Sequence, residues 1–185
     1  SIGDRGLRHF TAQEIGRRLG ISDAAVFRHL PSKQAIIRAA IDRLEQLLFE
    51  DFPPVDADPM VRLGKFFCRR AATAASQPGF ARLMFCEDLG RAGEPEENER
   101  IQAFKQRSAR FVRGCLEEAR ARGMLVPGIG TQEASFLIMG ALMAFLFARH
   151  LAEADLTLRR DAEHLWKKLE LVLRRDRRNR IRSRR

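Results

Sequence analysis

The side chains that could do acid–base, nucleophilic or metal chemistry are scattered along this sequence. The four histidines are His9, His29, His150 and His164. The three cysteines, without CxxC spacing, are Cys68, Cys86 and Cys115. Neither a glycine-rich phosphate loop nor a nucleophile motif is present. We therefore expect no enzymatic activity, no metal and no cofactor, and we interpret the cysteines as small core residues, with redox sensing as the alternative.

One short segment has a spacing with a chemical consequence. In the sequence Thr11-Ala12-Gln13-Glu14, the Thr11 hydroxyl can accept from the Glu14 amide while the Glu14 carboxylate accepts from the Thr11 amide. This capping box predicts a helix that starts at Thr11. Gly20 then permits a left-handed turn, and Ser22 can cap a second short helix. The apolar residues that would pack between the helices are Ile15, Leu19, Ile21, Val26 and Leu30.

Two short helices joined by a tight glycine turn have the spacing of a helix-turn-helix. In that motif, the second helix can enter a DNA major groove, which is about 12 Å wide. The pattern therefore favours DNA binding, and a purely structural helical hairpin is the alternative.

Residues 11–33, TAQEIGRRLGISDAAVFRHLPSK, resemble the DNA-binding signature of the TetR family of transcriptional regulators. The similarity continues through residues 34–37, which resemble the start of the long helix that follows in that family. The resemblance implies a regulator, most simply a repressor, that binds palindromic operator DNA as a homodimer. The chain departs from the family pattern at Phe27, where tyrosine is usual. Only Ser1–Arg5 resemble the family's first helix, so we expect the chain to begin late within it.

The resemblance also assigns candidate DNA contacts. They are Thr11, Gln13, Ser22, Asp23, Ala24, Ala25, Phe27, Arg28, His29 and Lys33. Arg28 is the best candidate for a guanine edge because a guanidinium can bond O6 and N7 together, with a phosphate contact as the alternative. Ala24 and Ala25 would allow close approach to a thymine methyl. Asp23 would accept from cytosine N4 or only complement the helix dipole, and Lys33 would contact a phosphate.

Helices must position these residues, and helical periodicity runs nearly end to end. We predict an all-α fold with an N-terminal helix-turn-helix domain at 1–50 and a helical regulatory and dimerisation domain at 51–174. A disordered basic tail is expected at 175–185. Glycine and proline positions divide the chain into predicted helices at 11–19, 23–29, 33–50, 59–76, 79–90, 96–122, 132–152 and 158–174.

Composition limits the class of protein. The chain has 185 residues, of which 45% are hydrophobic, and a net charge of +10. Its longest uncharged stretch, 134–148, is short for a membrane span, and no secretory signal is visible. We therefore expect a soluble, cytoplasmic, nucleoid-associated protein without membrane contact. Most of the excess charge lies in residues 174–185, which would either contact phosphates or remain solvated.

Residues 136–148 are apolar on every side, so a helix there must be covered on both faces. The simplest explanation is that one face packs in the chain's own core and the other packs, with the apolar stripe of 158–173, against a second copy. The alternative is a central helix buried in a monomer. The predicted interface residues are Phe136, Gly140, Met143, Ala144, Leu158, Leu165, Trp166 and Leu169.

The TetR resemblance implies a ligand cavity in the second domain. The candidate pocket residues are Phe66, Phe67, Arg70, Met84, Phe85, Phe104, Phe111, Met139, Met143 and Phe147. Most of them must be ordinary core. With no tyrosine and few neutral polar residues on these faces, we expect a small apolar ligand, anchored by one charged group such as Arg70.

A second class of function stays open. Residues 24–33 resemble in particular the nucleoid-occlusion branch of the family, whose members bind DNA and regulate a cell-division partner without a small inducer. In this alternative the second half of the chain is a protein-interaction surface, with exposed faces around residues 80–120.

Overall fold

The structure is a computed structural model that describes residues 17, 20, 22–29, 31–76, 94–151 and 158–175. Six α-helices lie in these ranges: α1 (Asp23–His29), α2 (Lys33–Phe49), α3 (Pro59–Ser76), α4 (Pro95–Ala121), α5 (Thr131–Leu151) and α6 (Leu158–Leu173). No β-strand occurs in the same ranges, so the predicted all-α fold is confirmed. The bounds of all six helices agree with prediction to within one residue. The predicted helices at 11–19 and 79–90 lie outside the described residues, apart from Arg17.

The ends of α4 show why local sequence determines the limits of this helix. Pro95 is its first residue, where the missing amide is harmless, and two glutamates in the first turn complement the helix dipole. Beyond the last turn, Gly123 has a φ of +64°, a region that glycine enters without steric penalty. The Gly123 amide donates to the Arg120 carbonyl at 2.9 Å. The Met124 amide donates to the Ala119 carbonyl at 2.9 Å, which completes a Schellman cap.

The chain forms two compact units. The first unit includes α1, α2 and the part of α4 up to Gln106. The buried residues of α2 recur at helical spacing along one face and are Ile36, Ile37, Ile41, Leu44 and Leu48. From α4, Ile101 and Phe104 are buried, and the Phe104 ring meets the Phe49 ring edge-on at 5.6 Å. An apolar seam between α2 and the start of α4 therefore forms the core of this unit.

The second unit includes residues 51–75, α4 from Arg107 onward, α5 and α6. Its most buried large side chains are Met60, Leu63, Phe67, Val112, Leu116, Ile138 and Leu173. Helices α3 and α6 meet where the Phe67 and Trp166 rings lie 5.8 Å apart. Gly64 allows this approach, because a Cβ at that position would overlap Trp166 Nε1. None of the described helices is both long and apolar enough to cross a membrane.

Polar contacts fix the start of α3 to the end of α6. The Asp58 carboxylate accepts from the Met60 amide at 2.8 Å and from Arg174 at 2.5 Å. Burial raises the pKa of Asp58, but these two donors outweigh it and hold the pKa below its ordinary value. The Val126 amide also donates to the Leu173 carbonyl at 3.0 Å. Arg174, the first of the basic residues 174–185, is therefore ion-paired within the second unit.

The contact between Gly64 and Trp166 predicts a size limit at position 64. Gly64→Ala should lower the free energy of unfolding by about 1–3 kcal/mol, because the added methyl overlaps the indole ring. Gly114→Ala is the matched control. It lies exposed in α4 with no atom within 4 Å of the added carbon, so it should raise stability by about 0.5–1 kcal/mol. Urea unfolding followed by fluorescence of the one tryptophan measures both changes. Equal stability of Gly64→Ala and wild type would contradict the packing.

Candidate nucleic-acid interface

Helix α1 is short and is capped at its start by Ser22. The Ala25 amide lies 3.2 Å from the Ser22 hydroxyl oxygen and 3.0 Å from its carbonyl oxygen. Before it, Gly20 has a φ of +67°, the left-handed turn predicted between the two helices. Val26 is buried, whereas Ala24 and Arg28, four residues apart, are exposed. One side of α1 is therefore anchored in the first unit, and the opposite side faces solvent.

A second serine starts α2, the helix that follows. Ser32 has an extended backbone, with φ −146° and ψ 164°, and its hydroxyl accepts from the Ala35 amide at 3.1 Å. Lys33 is the first residue of α2 and is exposed. This cap was not predicted, although a serine directly after Pro31 and before an apolar periodic run is a recognisable helix start.

The structure describes only part of the predicted DNA contact set. Asp23, Phe27 and His29 lie within α1, but their side chains are outside the described part of the chain. Thr11 and Gln13, with the predicted capping box, are also outside it. Of the remaining residues, Ala25 is half-buried and Ser22 is exposed.

Ion pairs join α2 to the start of α4. The Arg38 Nε donates to a Glu97 carboxylate oxygen at 2.6 Å, and the Glu97 side chain is only 3% exposed. Arg100 reaches back to Asp42 at 2.8 Å and to Glu45 at 2.7 Å. These contacts set the position of α2, which carries Lys33. They join residues more than fifty positions apart, so the helical pattern alone contains no signal for them.

In the second unit, three of the predicted pocket residues come together: the buried Arg70 and two phenylalanines, Phe66 and Phe111. Arg70 is 5% exposed, its guanidinium carbon lies 5.1 Å from the centre of the Phe66 ring, and its Nη2 is 3.3 Å from Ser108 Oγ. Phe66 and Phe111 pack with ring centres 5.5 Å apart. Burial, together with the nearby charges of Arg69 and Arg107, lowers the pKa of Arg70 to about 10. The ring of Phe52, a residue that was not predicted for the pocket, also contacts this cluster.

The other predicted pocket residues lie elsewhere. Phe67 faces Trp166, and Phe104 belongs to the first unit, where it contacts Phe49. Met139 and Met143 are half-buried on α5. Met84, Phe85 and the side chain of Phe147 lie outside the described residues. The described ranges hold no group of three or more His, Cys, Asp or Glu side chains that could bind a metal ion.

Helix α5 has one buried and one exposed apolar face in the single chain. Its buried residues are Ala134, Ile138, Leu142, Phe145 and Leu146. Phe136 is 67% exposed and Leu137 is 44% exposed, and Gly140 and Ala144 are also exposed. A helix buried on all sides within one chain, the alternative considered above, does not describe this arrangement.

Helix α6 also has apolar side chains that are only partly buried in the single chain. Leu165 and Leu169 are half-buried, and Val172 is 57% exposed. Trp166 is the exception among the predicted interface residues, because its ring is packed inside its own unit against Phe67. The side chain of Leu158 lies outside the described part.

Comparison with known proteins places the N-terminal segment in a family. Residues 1–40 match the family model described as bacterial regulatory proteins, tetR family. A nucleoid occlusion factor, SlmA, from Marinomonas sp. (strain MWYL1) is 28% identical over 133 residues. That alignment covers 69% of this chain and 66% of the relative, so it spans slightly less than two thirds of that protein's length.

Solved structures share the fold at low sequence identity. The TetR family transcriptional regulator PfmR from Thermus thermophilus superposes with a TM-score of 0.73 at 20% identity, covering 94% of both chains. AibR, in complex with isovaleryl coenzyme A and operator DNA, has a TM-score of 0.67 at 19% identity and covers 90% of both chains. At these identities the likeness shows the fold alone.

The six described helices define the class: an all-α protein. Within that class the chain is similar to TetR regulators: residues 1–40 match the tetR family model, and the fold resembles that of solved TetR structures. The predicted family resemblance is confirmed. These matches point to regulatory proteins and to no enzyme family.

The ion pair between Arg38 and Glu97 predicts a pH dependence of stability. The Arg38 hydrogen bond holds the pKa of Glu97 below its ordinary value. Its stabilising contribution is therefore complete above the ordinary glutamate pKa of about 4.3 and is lost as the pH falls through the lower folded pKa. Glu97→Gln should destabilise the protein at neutral pH, and the difference from wild type should shrink across this acid range.

Urea midpoints measured between neutral and acid pH test this dependence. Glu99→Gln, at an exposed position on the same helix, serves as the control and should follow wild type at every pH. A difference between Glu97→Gln and wild type that did not change with pH would contradict the assignment.

Proposed function

We propose that this protein is a transcriptional regulator that represses by binding palindromic operator DNA as a homodimer. The observation that carries the proposal is α1 itself. A seven-residue helix, capped by Ser22 and anchored by Val26, exposes Ala24 and Arg28 on its free side within the segment that matches the tetR family.

The chemistry of that free side fits a major groove. Arg28 can bond O6 and N7 of a guanine together, and the small Ala24 allows the helix backbone close to the bases. Lys33, exposed at the start of α2, is placed to contact a phosphate, which adds affinity without sequence choice.

The exposed apolar face of α5 supports the homodimer. Phe136 and Leu137 would be costly to leave in water, and Gly140 and Ala144 are small enough to let a second helix approach closely. A twofold interface places the same face of two chains together, so it covers both at once. Two copies of α1 would then contact half-sites about one helical turn apart.

We also propose that a small ligand binds the second unit and causes the protein to release DNA. The cluster of Phe52, Phe66, Arg70, Ser108 and Phe111 combines aromatic surface with a buried cation, which favours a ligand with an apolar part and an acidic group. AibR, a structural neighbour of this chain, was solved with an acyl-coenzyme A of that character.

Regulation of cell division is the second candidate, and the similarity to SlmA favours it. In this function the protein would bind DNA through the same α1 and would respond to a protein partner instead of a small ligand. The two candidates therefore differ in the second unit and not in the DNA-binding helix.

Substitution of Arg28 and of Lys33 distinguishes a contact that recognises the base sequence from one that binds a phosphate. Arg28→Ala should weaken operator binding by about 1–3 kcal/mol and relax specificity at one position in each half-site. Lys33→Ala should weaken operator and random DNA equally and make the salt dependence shallower by about one unit. Titrations against operator and scrambled duplex at several salt concentrations measure both effects. If both folded variants bound operator like wild type, the assigned face of α1 would be wrong.

A charge on the exposed face of α5 tests the dimer. Gly140→Asp should shift the protein to monomers because it buries an unpaired carboxylate in the proposed interface, whereas Gly114→Asp, on the exposed surface of α4, should leave the dimer intact. Analytical ultracentrifugation gives the oligomeric state, and circular dichroism checks the fold. A wild-type protein that is a folded monomer at micromolar concentration would exclude the interface.

Acyl-coenzyme A addition tests the ligand. Isovaleryl coenzyme A should reduce operator affinity and change Trp166 fluorescence, whereas coenzyme A alone should not, because the acyl group must fill the aromatic cluster. Ser108→Ala should weaken this response while DNA binding without ligand is unchanged. No response to acyl-coenzyme A compounds of any chain length would contradict this ligand class, and would favour the second candidate.

A further inference from the structure

Within the first unit, α4 starts beside the start of α2. Glu94 is the N-cap of α4, because its carbonyl oxygen accepts from the Asn98 amide at 3.3 Å and from the Glu97 amide at 3.1 Å. Serine, threonine, asparagine and aspartate are the usual residues at this position, since a short side chain reaches the free amides of the first turn. Capping therefore does not explain a glutamate here.

The Glu94 carboxylate is directed toward α2 instead. It accepts from the side-chain amide of Gln34 at 3.4 Å, and the Glu94 side chain is exposed. Gln34 is the second residue of α2 and follows Lys33 directly. Among the described residues, no lysine or arginine forms an ion pair with Glu94. Its negative charge is therefore hydrogen-bonded to a neutral amide and is not neutralised.

Two further glutamates of α4 lie near the first turns of α2. The hydrogen bond and the charge of Glu97 raise the pKa of Arg38, and the charges of Glu96 and Glu94 raise it further. Glu97 is buried and paired with Arg38, whereas Glu96 and Glu94 are exposed. One arginine thus faces three carboxylates, which leaves a surplus of two negative charges beside the start of α2.

The proposed function places a DNA phosphate at this same start of α2. Lys33 is exposed there, and the free amides at the start of a helix attract anions. Exposed charges act on one another over about 10 Å at 0.1 M salt. Because Glu94 contacts the residue next to Lys33, its carboxylate acts within this range on a phosphate bound by Lys33.

We infer that Glu94 and Glu96 are specificity-determining residues, which repel DNA phosphates from their side of α2. A phosphate then reaches Lys33 only in a register that keeps the DNA backbone away from these carboxylates. On the operator, the base contacts of α1 hold that register. On random DNA the backbone samples many registers and meets the repulsion in some of them. The inference rests on the proposed function, because it concerns how that DNA-binding surface rejects random sequence.

The first measurement is the affinity for a random duplex and for the operator. Glu94→Gln should bind a random duplex about two- to fourfold more tightly than wild type at low salt, and adding Glu96→Gln should increase this gain. The gain on the operator should stay below about twofold, because the operator register already avoids the carboxylates. Raising the salt from 0.01 M to 0.1 M shortens the Debye length from about 30 Å to about 10 Å, so the gain should shrink.

Glu99→Gln is the matched control. Glu99 is exposed on the same helix, and within the described part of the chain it is not among the charges that raise the pKa of Arg38. This variant should bind both duplexes like wild type. Circular dichroism checks the fold of each variant. A folded Glu94→Gln/Glu96→Gln variant with the wild-type affinity for random DNA would overturn the inference, as would equal gains on both duplexes.

A second measurement needs no DNA. A cationic and an anionic nitroxide concentrate at surfaces of opposite charge and broaden nearby NMR signals. At the Gln34 amide, the ratio of cationic to anionic broadening should fall by about twofold in Glu94→Gln/Glu96→Gln and stay unchanged in Glu99→Gln. An unchanged ratio in the folded double variant would also overturn the inference. If wild type bound operator and random duplex alike, the proposed function would fail, and the nitroxide ratio would still decide whether these glutamates repel anions.

Discussion

A single 27-residue helix, α4, must supply buried side chains to both units of this protein. Its buried positions follow one face along the whole length: Glu97, Ile101, Phe104, Ser108, Val112, Cys115, Leu116 and Ala119. One continuous stripe therefore serves two cores, and the change of unit falls between Gln106 and Arg107 without a break in the helix. The caps at Pro95 and Gly123 matter for this reason, since a frayed end of α4 would weaken one unit or the other.

Two charged residues lie on or beside that stripe, one in each unit. Glu97 is buried in the first and is paired with Arg38, while Arg70 is buried in the second among aromatic rings and Ser108. Removing a charge from water is costly, and an apolar pair of similar volume is often at least as stable. We expect the Arg38–Glu97 ion pair to favour one register of α2 against α4, because another register would leave the buried Glu97 carboxylate without its partner.

The helices of this protein could be predicted from the sequence because their limits are set locally. Proline and glycine end them, serine caps them, and the apolar period fixes the buried face of α2. The burial of Trp166, in contrast, could not be predicted from local sequence. Its stripe in α6 contains residues that pack inward and residues that stay partly exposed, and periodicity does not distinguish them. Gly64 lies far earlier in the chain, and its lack of a side chain leaves the space that the inward-facing Trp166 ring occupies.

The site shows the same limit. Arg28 and Lys33 could be proposed from the sequence because they lie in one short segment that matches the tetR family model. Phe52 and the Arg38–Glu97 pair were missed because each depends on helices that are distant in sequence. Their positions follow from tertiary packing, for which one sequence offers no periodic signal.

The size of α1 explains why the proposed function needs two chains. A helix of seven residues presents few side chains to a groove, and a good bidentate contact contributes about 1–3 kcal/mol of discrimination between bases. Specific recognition of an operator over random DNA typically requires about 4–10 kcal/mol. One copy of Arg28 with its alanine neighbours falls short of that range, whereas two copies held in a fixed relation can reach it. In the proposed homodimer, the exposed apolar face of α5 would meet this requirement by pairing two chains, each of which carries one copy of α1.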